Sequence, residues 1–281
     1  MKANLLYHCN DETGEAATWL PTPGIFLWVD IDNGVLHEYH PKINCIINHT
    51  FPDMITTIIP STNDVDEIWV ALKNKLVSYH LISRVMKELV TLPEITAELR
   101  TNDGKASPEG RIWLDVMHLS NHQETGSLYC IEKDFSYRKV LDNQCIPNGI
   151  VWNSAGDRMY YADSGRGCIY QFEYDALHGT IASQKIAIQV PAEFGIPDGM
   201  TIDKNGLLWV AHWGGFGVYV WNPETGKLVD KIDVPVPLAA SCAFGGKEMD
   251  ELFITTARSG MSDDEKERYP LSGSLFNVKI K

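Results

Sequence analysis

The sequence predicts an all-β fold, a six-bladed β-propeller closed by an N-terminal strand pairing with the last blade. Three observations predict it. A short strand-like run built on an aromatic residue recurs six times, at Trp28, Trp69, Trp113, Tyr160, Trp209 and Phe253, with spacings of 41, 44, 47, 49 and 44 residues. A turn rich in Gly, Asn, Asp or Ser follows each run, and a further β-like segment follows each turn. Helical periodicity is nearly absent. A period of about 45 residues with four short strands per repeat is that of propeller blades.

The strands follow in chain order. Before each aromatic run lies the strand expected to be innermost: EAATWL, MITTII, the NDGKASPEG region, NGIVWNS, DGMTIDKNG and ASCAFGG. After each run come VLHEYHP, KLVSYH, SLYCIEKD, CIYQFEYD, GVYVWNPETG and SLFNVKI. Fourth strands are weaker, as in YRKVLD, TIASQKIAIQV and LVDKIDV. The sixth repeat has only three strands before Lys281, and the segment Asn4 to His8 supplies the missing one. Closure of this kind removes exposed sheet edges. Ser262 to Arg268 is the clearest helix candidate. No linker-like stretch divides the chain, so residues 1–281 are read as a single domain.

Composition narrows the function classes. The 281 residues carry 24 Lys and Arg against 37 Asp and Glu, a net charge of −13. Such a balance argues against nucleic acid and anionic lipid as partners, because both are bound through basic side chains. It suits a bound cation. No run reaches the roughly 18 apolar residues of a membrane span. The N-terminus lacks the apolar segment of a secretory signal, so a cytoplasmic location is expected. Six scattered cysteines without a CxxC pair then read as free thiols. The sequence assigns no oligomeric state.

Polar residues recur at one phase of the repeat. Glu15, Asn102, Asn148 and Asp198 lie 11 to 13 residues before the aromatic of their blades. Blade two offers Met54 or Ile55 there, and blade six Ala240 or Ser241. Inner-strand starts converge on the propeller axis, so four oxygen-bearing side chains would meet at one spot. Two carboxylates packed together repel, and burial adds to the cost of their charge. A divalent cation resolves both. Oxygen donors suit Ca²⁺, Mg²⁺ or Mn²⁺, and Zn²⁺ also accepts carboxylates. Taken singly, PNG and PDG read as ordinary turns, with Gly supplying positive φ. Their shared register favours the site.

Other motifs carry less. His37-Glu38-Tyr39-His40 lacks HExxH spacing, and on a strand its histidines point to opposite faces, so they are read as surface residues. Asp30 to Gly34 begins like a calcium loop, but Pro41 stands where the closing Glu is needed, so a hairpin turn is expected. Ser136 to Lys139 fits SxxK without its partner motifs. His118 and His122, near a mouth loop, and His212 are weighed as solvated or core histidines before any part in binding.

The combination of GE before the first Trp, RxNDGKxxPxGR (Arg100 to Arg111), IPNGIVW, IPDGMTID, LLWVAHWGG and SCAFGGKEMDELFITTAR resembles the regucalcin/gluconolactonase (senescence marker protein) family, from about Gly14 to Phe276. The resemblance implies a six-bladed propeller that hydrolyses a sugar lactone with one divalent metal ion. Residue by residue, it implies Glu15, Asn148 and Asp198 as metal ligands and Asp198 also as the general base. It implies Arg100 and Asn102 as substrate contacts, with Asn102 close to the metal. The chain departs from the family pattern at Ala17, where Pro is usual, and at Asp115 and Val116, which replace Gly and Thr. His118 to Asn121 replace a segment that is acidic in some members. These changes spare the metal set and bear on substrate choice. The expectation is a lactonase opening an aldonolactone. A noncatalytic cation- or sugar-binding propeller is the runner-up, and an esterase or phosphotriesterase on the same scaffold is a third reading.

Overall fold

The computed structural model describes residues 1–61, 64–92, 94–120 and 124–280. They form six four-stranded antiparallel sheets. From the inner strand outward, blade one is Gly14–Leu20, Ile25–Asp30, Val35–His40 and Cys45–Thr50. Blade two is Ile55–Pro60, Glu67–Leu72, Lys75–His80 and Met86–Thr91. Blade three is Leu99–Ala106, Ile112–His118, Gly126–Ile131 and Tyr137–Gln144. Blade four is Pro147–Trp152, Arg158–Asp163, Cys168–Asp175 and Thr180–Gln189. Blade five is Ile196–Ile202, Leu208–Trp213, Gly217–Asn222 and Lys227–Asp233. Blade six is Ala239–Gly245, Glu251–Thr256, Leu275–Lys279 and, from the start of the chain, Asn4–Tyr7.

Each inner strand packs beside the next around the ring, and that of blade six returns to that of blade one. The six aromatic runs are the second strands, wedged between neighbouring blades. Both of their faces are covered, so their apolar residues run continuously instead of alternating. Trp28, Trp113, Tyr160 and Phe253 are all buried. Outer strands are largely exposed. Those of blades one and two, Cys45–Thr50 and Met86–Thr91, carry too weak an apolar pattern to be assigned from sequence.

The ring closes as expected, with Asn4 opposite Asn277, Leu5 opposite Phe276 and Tyr7 opposite Leu275. The chain then crosses to blade one, and buried Asp11 fastens the crossing. Its Oδ2 accepts from Trp28 Nε1 (2.9 Å) and its Oδ1 lies 3.1 Å from His37 Nε2. His37 also stacks on Trp28 at 4.6 Å between ring centroids. The surface reading of this motif is therefore corrected: His37 and Glu38 are buried, and Glu38 binds His40 at 2.7 Å and His49 at 2.8 Å. The histidines do face opposite sides of the strand, but in this blade both faces meet polar partners.

Asp30 to Val35 is a hairpin connection, with Gly34 at φ +61°. The predicted helix forms over Asp263–Arg268, with Ser262 and Glu265 as a capping box. All six cysteines are unpaired. Among the described residues, no helix is long and apolar enough to cross a membrane.

Candidate functional site

Every inner strand slips register once near its start. The slips fall at Glu15/Thr18, Ile55/Thr57, Thr101/Gly104, Asn148/Ile150, Pro197/Met200 and Ala239/Ser241. Such bulges bend a strand and re-aim its side chains. Glu15, Asn102, Asn148 and Asp198 all stand at them. PNG and PDG are thus not turns but parts of bulged strands. Their glycines are required by space: a Cβ on Gly149 would come within 2.6 Å of the Asp198 carbonyl oxygen, and one on Gly199 within 2.6 Å of Ser241 Oγ.

The bulges open into a cavity of about 360 Å³ lined by Glu15, Arg100, Asn102, Asn148 and Asp198. All five residues singled out in the sequence are therefore neighbours of one space. The rest of the wall includes Leu119, from the segment the sequence ties to substrate choice, Asp32, read only as part of a turn, and Thr13, Met117, Ser164, Trp213 and Ser259, which sequence reasoning missed. Antiparallel pairing explains most of them. It sets the end of each second strand beside the start of the inner one, as in Gly14 opposite Asp30, Leu99 opposite His118 and Ile196 opposite Trp213. The available signal was the few residues after each aromatic run.

Hydrogen bonds between blades hold the bulges in place. Asn102 Nδ2 donates to the Pro147 carbonyl (2.9 Å), and Ser164 Oγ donates to the Pro197 carbonyl (2.6 Å). Asn148 Nδ2 donates to Ser164 Oγ at 3.3 Å. Arg100 Nη1 donates to Asn102 Oδ1 (2.6 Å) and to the Thr101 carbonyl (2.9 Å), which fixes the guanidinium at the pocket wall. Asp115, one of the departures from the family pattern, is fully buried and accepts from the Asp103 N–H at 2.8 Å, bracing the bulge that carries Asn102.

The site is electrostatically unbalanced. Burial, then the charges of Asp198 and Asp103, push the Glu15 carboxyl well above its usual range. Burial, then the charge of Asp103, push Asp198 up as well, against hydrogen bonds from Asn148 and Gly199 and the charge of Arg100. Glu15 and Asp198 are only 8% and 6% exposed, yet neither forms an ion pair among the described residues.

The family description SMP-30/gluconolactonase/LRE-like region matches residues 13–258 of the chain. The chain belongs to the SMP-30/gluconolactonase family. Among its relatives, the Bacillus subtilis protein YvrE, provisionally named a sugar lactone lactonase, is 33% identical over 269 residues, covering 95% of this chain and 91% of YvrE. Rabbit (Oryctolagus cuniculus) regucalcin is 31% identical over 278 residues, covering 96% and 90%. A luciferin-regenerating enzyme superposes with a TM-score of 0.89 at 28% identity, over 96% of this chain and 92% of that one. A regucalcin from Agrobacterium tumefaciens, described as calcium-binding, superposes with a TM-score of 0.93 at 24% identity, over 100% and 94%, and shares the fold.

The donor set in this SMP-30/gluconolactonase-family chain fits a hard cation. Among the described residues, no three His, Cys, Asp or Glu side chains gather as a metal cluster. The bulges instead present two carboxylates, Glu15 and Asp198, and two amides, Asn102 and Asn148, all oxygen donors of the kind such ions take.

His212 is structural in this family member. It is fully buried, its Nδ1 donates to the Phe194 carbonyl (2.9 Å) and its Nε2 accepts from Trp221 Nε1 (3.2 Å). Burial lowers its pKa to about 4. The folded state therefore refuses a proton that the unfolded chain takes near pH 6.5. Stability from this group is intact above that pH and is lost as pH falls towards 4, by about 3 kcal/mol at 1.36 kcal/mol per unit. Urea unfolding of the protein and of His212→Gln at pH 7 and pH 4 checks it: their stability difference should narrow by that amount. His118 is half-buried, with its Nδ1 bonded to Ser120, and His122 lies outside the described residues.

Proposed function

We propose that the chain is a metal-dependent hydrolase that opens a sugar lactone of the aldonolactone type to its aldonic acid. The observation that carries this reading is the pair of buried, unpaired carboxylates on converging bulges beside a fixed arginine. Family membership and the lactonase name of YvrE support it. Glu15, Asn148 and Asp198 would hold one divalent ion, Ca²⁺, Zn²⁺, Mg²⁺ or Mn²⁺. Such an ion polarises a carbonyl and acidifies bound water.

The chain's own groups do the rest. Asp198 accepts a proton from water as its oxygen bonds to the carbonyl carbon. When the ring C–O bond breaks, Asp198 returns that proton to the departing ring oxygen. Arg100 presents donors to the carboxylate that forms, and Asn102 holds Arg100 in that aim. The enzyme would work in the cytoplasm, where its six thiols stay reduced.

Acid release in a pH-stat tests the reading on a panel of sugar lactones, with EDTA and then with each of the four ions restored. Chelator-sensitive release, recovered with at least one ion, is expected. No release from any lactone with any ion overturns it in favour of a noncatalytic binding propeller.

A further inference from the structure

The pocket wall differs from one side of the ring to the other. Blades six and one contribute Ser259, Thr13 and Asp32 beside the buried Ile31, with Thr13 Oγ1 donating to Asp32 Oδ2 at 2.6 Å. Blades two to five contribute Met54, Met117, Leu119, Ile146, Ile196 and Trp213. Leu119 and Ile196 remain 41% and 36% exposed at the mouth, where a bound molecule would cover them. Of the polar side chains on that side, Arg100, Asn102 and Asp198 belong to the proposed reaction site, while Asn148 donates to Ser164 and Ser164 to the Pro197 carbonyl.

A hydroxyl laid against Met54, Met117, Leu119, Ile146, Ile196 and Trp213 would give up water and find, among those side chains, only the indole N–H of Trp213. A methyl group there loses nothing. An anionic substituent fares worst. The described lining contains three carboxylates, Glu15, Asp32 and Asp198, against a single basic residue, Arg100 of blade three, which is already held by Asn102 and the Thr101 carbonyl.

Resting on the lactonase reading, we infer that the substrate is an uncharged lactone with an apolar end, a 6-deoxy sugar lactone bearing methyl in place of hydroxymethyl. Its ring hydroxyls face Thr13, Asp32 and Ser259, and its methyl lies against Leu119, Ile196 and Trp213.

The test reads binding and turnover separately. The probes are 1,5-lactams, which do not hydrolyse, in matched pairs: gluconic with 6-deoxygluconic, and galactonic with 6-deoxygalactonic. Each is titrated calorimetrically into the full chain with Ca²⁺. The 6-deoxy member should bind about tenfold tighter, or about 1.4 kcal/mol, and kcat/KM of the matching lactones should follow the same order. Leu119→Gln, at an exposed position, should shrink the preference to about twofold or less. Equal or reversed order, no lactam bound, or an undiminished preference in Leu119→Gln overturns the inference. Preferential lactam binding without acid release from any lactone overturns the hydrolase reading alone and upholds the inference about the ligand.

Discussion

Asp198→Asn should lower kcat/KM for lactone opening by about 10²–10⁴-fold, the usual worth of a positioned proton acceptor. The fold should survive. Blade four carries an amide, Asn148, in the matching Ile-Pro-x-Gly context and at the same kind of bulge, so the propeller already accommodates asparagine there. The Asn oxygen can still accept from the Gly199 N–H and still offer a donor to an ion. What it cannot do is take a proton from water or hand one to the ring oxygen. The measurement is therefore made at saturating ion, with lactam affinity alongside. Unchanged lactam binding with the rate lost assigns the deficit to proton transfer. A wild-type rate with the ion bound would remove Asp198 from the chemistry.

Asp198 also shows why this site was legible in the sequence. Its distance from Trp209 matches that of Asn148 from Tyr160 to within one residue, and the six-bladed ring turns such phase matches into spatial neighbours. The ring itself was legible because the second strands are buried on both faces and read as unbroken apolar runs around an aromatic. Less legible was anything set by pairing across strands. The slips at Ile55/Thr57 and Ala239/Ser241 leave no mark in composition, yet they complete the circle of bulges. Leu119 and Trp213 enter the pocket only because antiparallel pairing returns them to the inner-strand starts. His37 was misread for a related reason: strand alternation separates two faces but does not say that Asp11, from a crossing segment, waits on one of them.

Glu15→Gln should stabilise the protein in EDTA and abolish its stabilisation by ions. In the wild type, two buried carboxylates face one another without an ion pair among the described residues, and both resist ionising. The sign of the pH dependence follows. A carboxyl whose folded pKa is raised holds its proton longer than the unfolded chain does, so wild-type stability in EDTA falls as pH rises from the ordinary carboxylate range towards neutral. Replacing Glu15 removes one of the opposed charges, flattens that slope and should gain about 1–3 kcal/mol at pH 7. The ion acts the opposite way. At a hundredfold excess over its Kd it should add about 2.7 kcal/mol to the wild type, or about 5 °C in Tm for a chain of this size. Glu15→Gln should show little of that shift. Thermal melts of both proteins with and without Ca²⁺ decide the matter without any activity assay. A variant that melts lower than wild type in EDTA, yet still gains the full shift with the ion, would mean that Glu15 holds the bulge together and the cation sits elsewhere.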